Sequence, residues 1–438
     1  MRRTQQAAEV DGGVAQGTGA GVVDGGARLE ADRDVRRMAL FYLVYYGAGG
    51  FYFPYLVLYL AHRGASAAAI GLIAALGPGV GLVTQPLWGH LADRRRAPLW
   101  LLRGLLLGGT VFICLVPLLP VPVGAAFGMS AYALFASPIV ALADSSTLRF
   151  LAAGSGLHGA DAYPRVRAYG SLSFSVSAVL SSLLYADQGL WRAFVAMGAG
   201  MVLCTLVLPR REPTAGAAPA PAGARDPGPP VGRALRQLVA MPAYVVVVLS
   251  AFLLQVANAA HATFFPVYLV AVHMPASAVG APWAMAAVTE VPMFALLPPM
   301  ASRVGIRNLV LASLVLYAAR FLLYSAIHVA WPVFVVQLLQ GFTFAFFTGG
   351  TVVLIGTMVP PGLKAVGQTV FMAVSVSLAA IVGNLGGGAA VSLYGVFAMY
   401  RLAAGVALLS AALFALGLRP WRPAPARPPA PAAGQSPA

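Results

Sequence analysis

The chain has 438 residues, 59% of them apolar and only 9% charged, with a mean hydropathy of +0.80. A water-soluble body of that size needs far more polar surface, so the composition excludes a soluble globular protein and makes lipid the solvent in which the chain folds. A formal charge of +15 could suit nucleic acid, but the basic residues are spread over many short loops and form no single stripe, which multi-pass membrane topology explains and a nucleic-acid surface does not.

In chain order, residues 1–37 are rich in Gly, Ala and charge and carry no apolar core ahead of a small-residue cleavage site. They read as a disordered cytoplasmic tail and not as a signal peptide. A helix needs about 20 apolar residues to cross a bilayer. Runs of that kind cover 38–62, 66–88, 99–118, 123–149, 165–186 and 190–209, then 241–272, 277–300, 309–327, 331–358, 365–389 and 396–418. The expected fold is an all-α membrane protein of twelve transmembrane helices in two pseudo-symmetric six-helix bundles, 38–209 and 241–418. A Pro-, Gly- and Ala-rich cytoplasmic linker (210–240) joins them, and a second disordered tail (419–438) follows.

The first span is aromatic, and of Tyr42, Tyr45, Tyr46, Phe51, Tyr52, Phe53 and Tyr55 several are able to line a pocket that stacks a ring or a sugar face. After the second span comes Gly89-His90-Leu91-Ala92-Asp93-Arg94-Arg95-Arg96, which reads as a hairpin forming a cytoplasmic gate. Its Gly lets the backbone turn, its Asp pairs with a base or a helix N-terminus, and its arginines bind anionic headgroups. Cys114 and Cys204 lie inside apolar runs and read as small core residues, not as a disulfide. Asp144 and Arg149 near the inner end of the fourth span, with Arg165 and Arg167 opening the fifth, form a charge cluster where that gate would close.

Ionisable groups inside a span are costly and need a partner, a wet cavity or a function. Glu290 in the eighth span and Arg320 in the ninth lie at similar depth and could meet as an ion pair, either structural or coupled to proton movement. The seventh span carries Gln255, Asn258 and His261, and the tenth carries Gln337, Gln340 and Thr343, each set on one helical face. Two polar stripes fit either a shared aqueous cavity or interhelical hydrogen bonding.

The single lysine, Lys364, follows Leu363, so there is no Gly-Lys-Ser/Thr phosphate loop. None of the four glutamates neighbours a histidine, and the six histidines show no metal-ligand spacing. No enzyme, metal or cofactor is expected, and energy has to come from a gradient. With both tails on one side, 24 of the 28 basic residues fall in the tails and loops of that side. The asymmetry makes it cytoplasmic. The bias of 27 Arg to one Lys suggests a GC-rich bacterial genome and hence the bacterial cytoplasmic membrane.

The gate stretch is similar to the signature between helices two and three of the major facilitator superfamily. Phe53-Pro54, Gln85-Pro86-Leu87-Trp88-Gly89, Arg165-Val166-Arg167-Ala168-Tyr169-Gly170-Ser171, Arg320 and Gln340-Gly341-Phe342-Thr343-Phe344 resemble the branch holding lactose permease, nucleoside symporters and phenylpropionate permeases. The resemblance implies two bundles rocking around a cavity lined by helices one, four, seven and ten, with proton-coupled uptake as the usual mode. It places substrate contact at Arg167. The acidic partner of that arginine falls at Ala141, and the histidine and glutamate that serve coupling in helix ten fall at Gln340 and Thr343, so coupling would rest on Glu290 or Asp144. The expected function is thus proton-coupled symport of a small organic solute by a monomer, with membrane lipid and protons as its other partners. Export of a drug or metabolite and a non-transporting membrane sensor are the alternatives.

Overall fold

The computed structural model describes residues 19–95, 98–152, 162–184, 189–211 and 229–419. Among these every regular element is helical, as hydrocarbon demands of a chain that must satisfy its backbone within each segment. Numbering only the membrane helices, the first half comprises α1 (Gly19–His62), α2 (Ala67–Arg95), α3 (Pro98–Leu118), α4 (Val123–Ala152), α5 (Tyr163–Leu184) and α6 (Arg192–Val207). The second comprises α7 (Pro242–Ala271), α8 (Gly280–Val304), α9 (Ile306–Ala326), α10 (Trp331–Met358), α11 (Pro361–Tyr394) and α12 (Val396–Gly417).

Ten of these are long and apolar enough by themselves to cross a membrane. The other two have evident reasons for falling short. Arg165, Arg167 and the serines 171, 173, 175, 177 and 181 dilute α5, and α6 has only 16 residues. Both pack along α1, which completes the first bundle of six. Their approach depends on small residues: a Cβ on Gly50 would lie 2.1 Å from Ser177 Oγ and 2.6 Å from the Phe174 carbonyl oxygen of α5.

The two halves repeat one contact pattern. Helix α1 packs on α5 and α6, and α7 packs on α11 and α12, a shift of six helices. Between the halves α2 lies on α11 and α5 lies on α8, pairs that exchange under the same shift. That is the signature of a pseudo-two-fold axis between parallel repeats.

Two expectations need correction. The gate stretch is no hairpin, because α2 continues as helix through Gly89 and Asp93 to Arg95. Gly89 has nothing within 4 Å of where a Cβ would stand, so it serves neither a turn nor a close approach. The change from apolar to charged residues marks the edge of the hydrocarbon, and Arg is a good helix former on either side of it. Within the linker, Val231–Val239 forms a short helix whose buried Ala234 and Leu238 face the protein, Leu238 near Gly367 of α11.

The halves meet at the end of the bundle away from the start of α1 and the end of α12. There a Cβ on Gly71 would stand 2.4 Å from the Asn384 carbonyl oxygen and 2.9 Å from Gly388 Cα, so α2 and α11 touch backbone to backbone. The Asn384 amide donates to the Ala74 carbonyl across this seam at 3.0 Å and accepts from Thr263 Oγ1 at 2.8 Å. Phe53 of α1 meets Trp283 of α8 edge to face at 5.4 Å, and Trp283 in turn meets Phe265 of α7 at 5.6 Å.

Candidate functional site

Each half holds one polar cluster built around an arginine, half-buried in the first half and fully buried in the second. In the first half Arg167 of α5 stands 4.0 Å over the ring of Tyr46 and 5.4 Å from that of Tyr42, and it donates to the Tyr46 hydroxyl. The aromatic faces of α1 thus hold the guanidinium by cation–π attraction. Tyr42, fully buried, donates to Asp144 Oδ1 of α4 at 2.7 Å and shares a hydrogen bond with Thr147 at 3.1 Å. Asp144 and Arg167 are themselves half-buried.

Within this half several sequence expectations separate. Tyr42, Tyr46, Asp144 and Arg167 come together as one cluster. Tyr45 stacks on Phe41 at 5.7 Å and meets the Tyr46 ring edge to face at 5.6 Å, packing behind the cluster. Arg165 is exposed and Arg149 half-buried, and neither joins the Asp144 cluster among the described contacts. Of the gate arginines, Arg94 is exposed. The Asp93 and Arg95 side chains and all of Arg96 lie outside the described residues.

In the second half Arg320 of α9 is completely buried. It donates to Gln340 Oε1, to Thr343 Oγ1 at 2.8 Å and to His261 Nε2 at 3.2 Å, and it lies 5.1 Å from the Tyr317 ring and 5.8 Å from that of Tyr324. A guanidinium has only donors and keeps its charge in proteins. His261 Nε2 therefore accepts, the ring proton sits on Nδ1, and that nitrogen donates to the Tyr400 hydroxyl at 2.9 Å. His261 is a neutral imidazole held in one tautomer by its two neighbours.

The direct Glu290–Arg320 ion pair expected from depth gives way to a relay. Gln340 stands between them, accepting from Arg320 through Oε1 and donating through Nε2 to Glu290 Oε1 at 3.3 Å. One amide satisfies both charges by using its two ends, an arrangement neither a second acid nor a second base could supply.

The two polar stripes divide in the same way. His261, Gln340 and Thr343 converge on Arg320, whereas Gln255 and Asn258 pair with each other at 3.3 Å. Gln337 is buried, accepting from Tyr324 at 2.7 Å and donating to the Pro282 carbonyl of α8 at 3.1 Å, so it joins helices and is unavailable to a solute. Phe53 belongs to the contact between halves. Tyr400, Tyr324, Trp283 and Asn384 were passed over in the sequence, although Tyr317, Arg320 and Tyr324 fall at i, i+3 and i+7 on one face of α9. The glycines around Asn384, namely 383, 386, 387 and 388, were the one available signal that α11 packs closely on its neighbours.

Comparison with known proteins agrees with this architecture. Residues 35–402 match the MFS_1 like family. The chain is 30% identical to the maltose permease of Geobacillus stearothermophilus over 313 residues, 69% of this chain and 74% of that protein. It is 23% identical to the uncharacterized transporter YwbF of Bacillus subtilis (strain 168) over 400 residues, 89% of this chain and 94% of the relative. In three dimensions it resembles the nucleoside transporter NupG, with a TM-score of 0.75 at 17% identity over 88% of this chain and 99% of that one. A bacterial homolog of the lysosomal transporter Spinster, in an inward-facing and unoccupied conformation, gives a TM-score of 0.66 at 15% identity over 90% of this chain and 99% of that one.

Proposed function

The chain belongs to the MFS_1 like family of the major facilitator superfamily of membrane transporters, and from that premise we propose that it takes up a small neutral organic solute by proton-coupled symport across the bacterial cytoplasmic membrane. It does so by alternating access, with both termini in the cytoplasm. The solute is a ring compound bearing several hydroxyls, of the sugar or nucleoside class. It binds between Arg167, Tyr46, Tyr42 and Asp144 on one side and the Gln340–Glu290 edge of the second half on the other.

The observation that carries the coupling is the relay Glu290–Gln340–Arg320. A half-buried carboxyl inside a bilayer is tolerated where it has hydrogen bonds and a compensating charge nearby, and it can take up and release a proton as those partners shift. Since Gln340 is the only group bonded to Glu290 among the described contacts, a solute that displaces the amide changes what stabilises the carboxylate. With cytoplasmic termini, the contacts between halves at Gly71, Asn384 and Phe53 lie at the outer end and hold it closed. Support for the solute class comes from the paired aromatic and guanidinium donors of the first cluster and from the sugar named in the 30% identical permease.

Proteoliposomes holding the purified protein test this reading. An acidic exterior should drive accumulation of labelled maltose or of a nucleoside above the equilibrium level. Glu290→Gln should abolish that accumulation while leaving solute exchange down its own gradient intact. Wild-type flux indifferent to the imposed pH difference, or unchanged accumulation by the Gln variant, overturns proton symport; net flux only toward the acidic side reverses the direction.

A further inference from the structure

The stretch Gln85-Pro86-Leu87-Trp88-Gly89 stands out in the sequence, yet the solute cluster uses none of its side chains. In the fold it lies against the middle of α4. Regular helix there stops at Ala136 and restarts at Ile139, because Pro138 has no N–H to give the carbonyl four residues back, that of Leu134. In hydrocarbon a freed carbonyl needs a partner from a neighbouring helix. Trp88 Nε1 of α2 donates to it at 2.9 Å, and Gln85 Nε2 donates to the Ser137 carbonyl at 3.2 Å. Thr84 gives its own hydroxyl proton to the Val80 carbonyl, so it accepts from Ser137 Oγ at 3.1 Å. Gly81 lets the two helices approach, since a Cβ there would stand 3.3 Å from Ser137 Cβ. Gly81, Thr84, Gln85 and Trp88 fall at i, i+3, i+4 and i+7, one face of α2 turned toward one break in α4.

The segment after the break carries part of the site. Asp144 and Thr147, which bond Tyr42 at 2.7 and 3.1 Å, both lie in Ile139–Ala152. Asp144 is about 9 Å beyond Pro138 at ~1.5 Å per residue, so a change of about 20° in the bend carries it about 3 Å sideways, more than a hydrogen bond tolerates. Proline supplies the break, and the partners of the exposed carbonyls fix its angle. We propose that Trp88 and Gln85 are positioning residues: by taking the Leu134 and Ser137 carbonyls they set the course of the second part of α4 and hold Asp144 against Tyr42. The Trp88 ring is itself held, tilted at 6.4 Å against Phe135, which stacks on Phe112 of α3 at 5.6 Å. The other end of α2 meets α11 at Gly71 and Ala74, so one helix reaches from the contact between halves to the wall of the solute cluster. The effect of this clamp on transport rests on that cluster being the solute site; its effect on α4 does not.

Spin labels at Ala152→Cys and Leu206→Cys, exposed positions at the ends of α4 and α6, read the bend in a full chain with Cys114 and Cys204 replaced. Ala152 lies about 21 Å beyond Pro138, so the same change of about 20° moves it about 7 Å. Trp88→Phe keeps the ring and removes the donor. It should displace or broaden the distance distribution and raise KM for exchange of labelled maltose or of a nucleoside at least about fivefold, with kcat within about twofold. Gln85→Leu tests the same break should Trp88→Phe fail to fold. Tyr42→Phe, which removes the bond to Asp144 directly, should raise KM and leave the distance distribution unchanged. An unchanged distribution in the Trp88 and Gln85 variants overturns the proposal, as does a KM that stays put in them while Tyr42→Phe raises it. If Tyr42→Phe also leaves KM alone, the solute site lies elsewhere, and the label distances by themselves decide whether α2 clamps α4.

Discussion

Arg320 donates to His261 across the α7–α9 interface, Nη2 to Nε2 at 3.2 Å. Because arginine can only donate, this contact exists only while the imidazole nitrogen is bare. A proton arriving at His261 would turn an acceptor into a second cation facing the first, and the two side chains would have to part. The hydrogen bond from His261 to Tyr400 ties the same ring to α12, so the event would be felt on three helices at once.

Arg320→Met should leave Gln340, Thr343 and His261 without their common donor. An unmet buried hydrogen-bonding group costs about 1–3 kcal/mol, and the melting temperature in detergent should fall by several degrees. Arg320→Lys keeps the charge but has no planar fork to reach three acceptors on two helices. Its transport rate in proteoliposomes should fall at least about tenfold even if its stability recovers; a Lys variant with wild-type flux contradicts the geometric role.

Tyr46→Phe deletes the hydroxyl that accepts from Arg167 and keeps the ring beneath it. One lost hydrogen bond is worth about 1 kcal/mol, which corresponds to a roughly fivefold rise in KM for transport with kcat little changed. Arg167→Ala, which removes both contacts, should raise KM much further. Initial-rate kinetics against solute concentration separate these outcomes from a general loss of folded protein.

Asn384→Ala removes the amide that crosses to the Ala74 carbonyl and the acceptor used by Thr263. The closed end should lose about 1–3 kcal/mol, shifting the two conformations by roughly 5- to 150-fold toward opening there. Spin labels at Ala65→Cys and Val329→Cys, in a chain with Cys114 and Cys204 replaced, read the shift as a longer distance population. An unchanged distribution contradicts a latch at Asn384.

Gly71→Val is expected to act more severely at the same seam. Its Cβ would stand 2.4 Å from a backbone oxygen of α11, and backbone cannot swing aside as a side chain can. The variant should fold, because the clash lies between halves and not within one, yet remain open at that end and transport nothing. The same labelled pair reports it.

Much of the molecule was legible in the sequence because lipid imposes a coarse rule, about 20 apolar residues per crossing, and twelve such runs could be drawn. Helical spacing put Gln340 and Thr343 on one face, where both meet Arg320, but it also put Gln255 and Asn258 with His261, and those two pair apart from it. The hairpin at Gly89 was misread because its glycine was taken to turn the chain, whereas α2 stays helical through it to Arg95. Lateral neighbours were out of reach for a different reason. That Gln340 would separate Glu290 from Arg320, that Tyr400 would hold His261, and that Asn384 would bridge the halves all depend on helix rotation and pairing, which no one-dimensional pattern contains.

The Gly71–Gly388 contact bears on speed. Where interlocked side chains hold two bodies together, each must find a new rotamer when the bodies separate and recover the old one when they return. Bare main chain against bare main chain has no such reordering to perform. Apart from the Asn384 amide, this part of the seam can therefore open and reseal with little conformational search, and each cycle of the carrier begins and ends on surfaces already in their final shape.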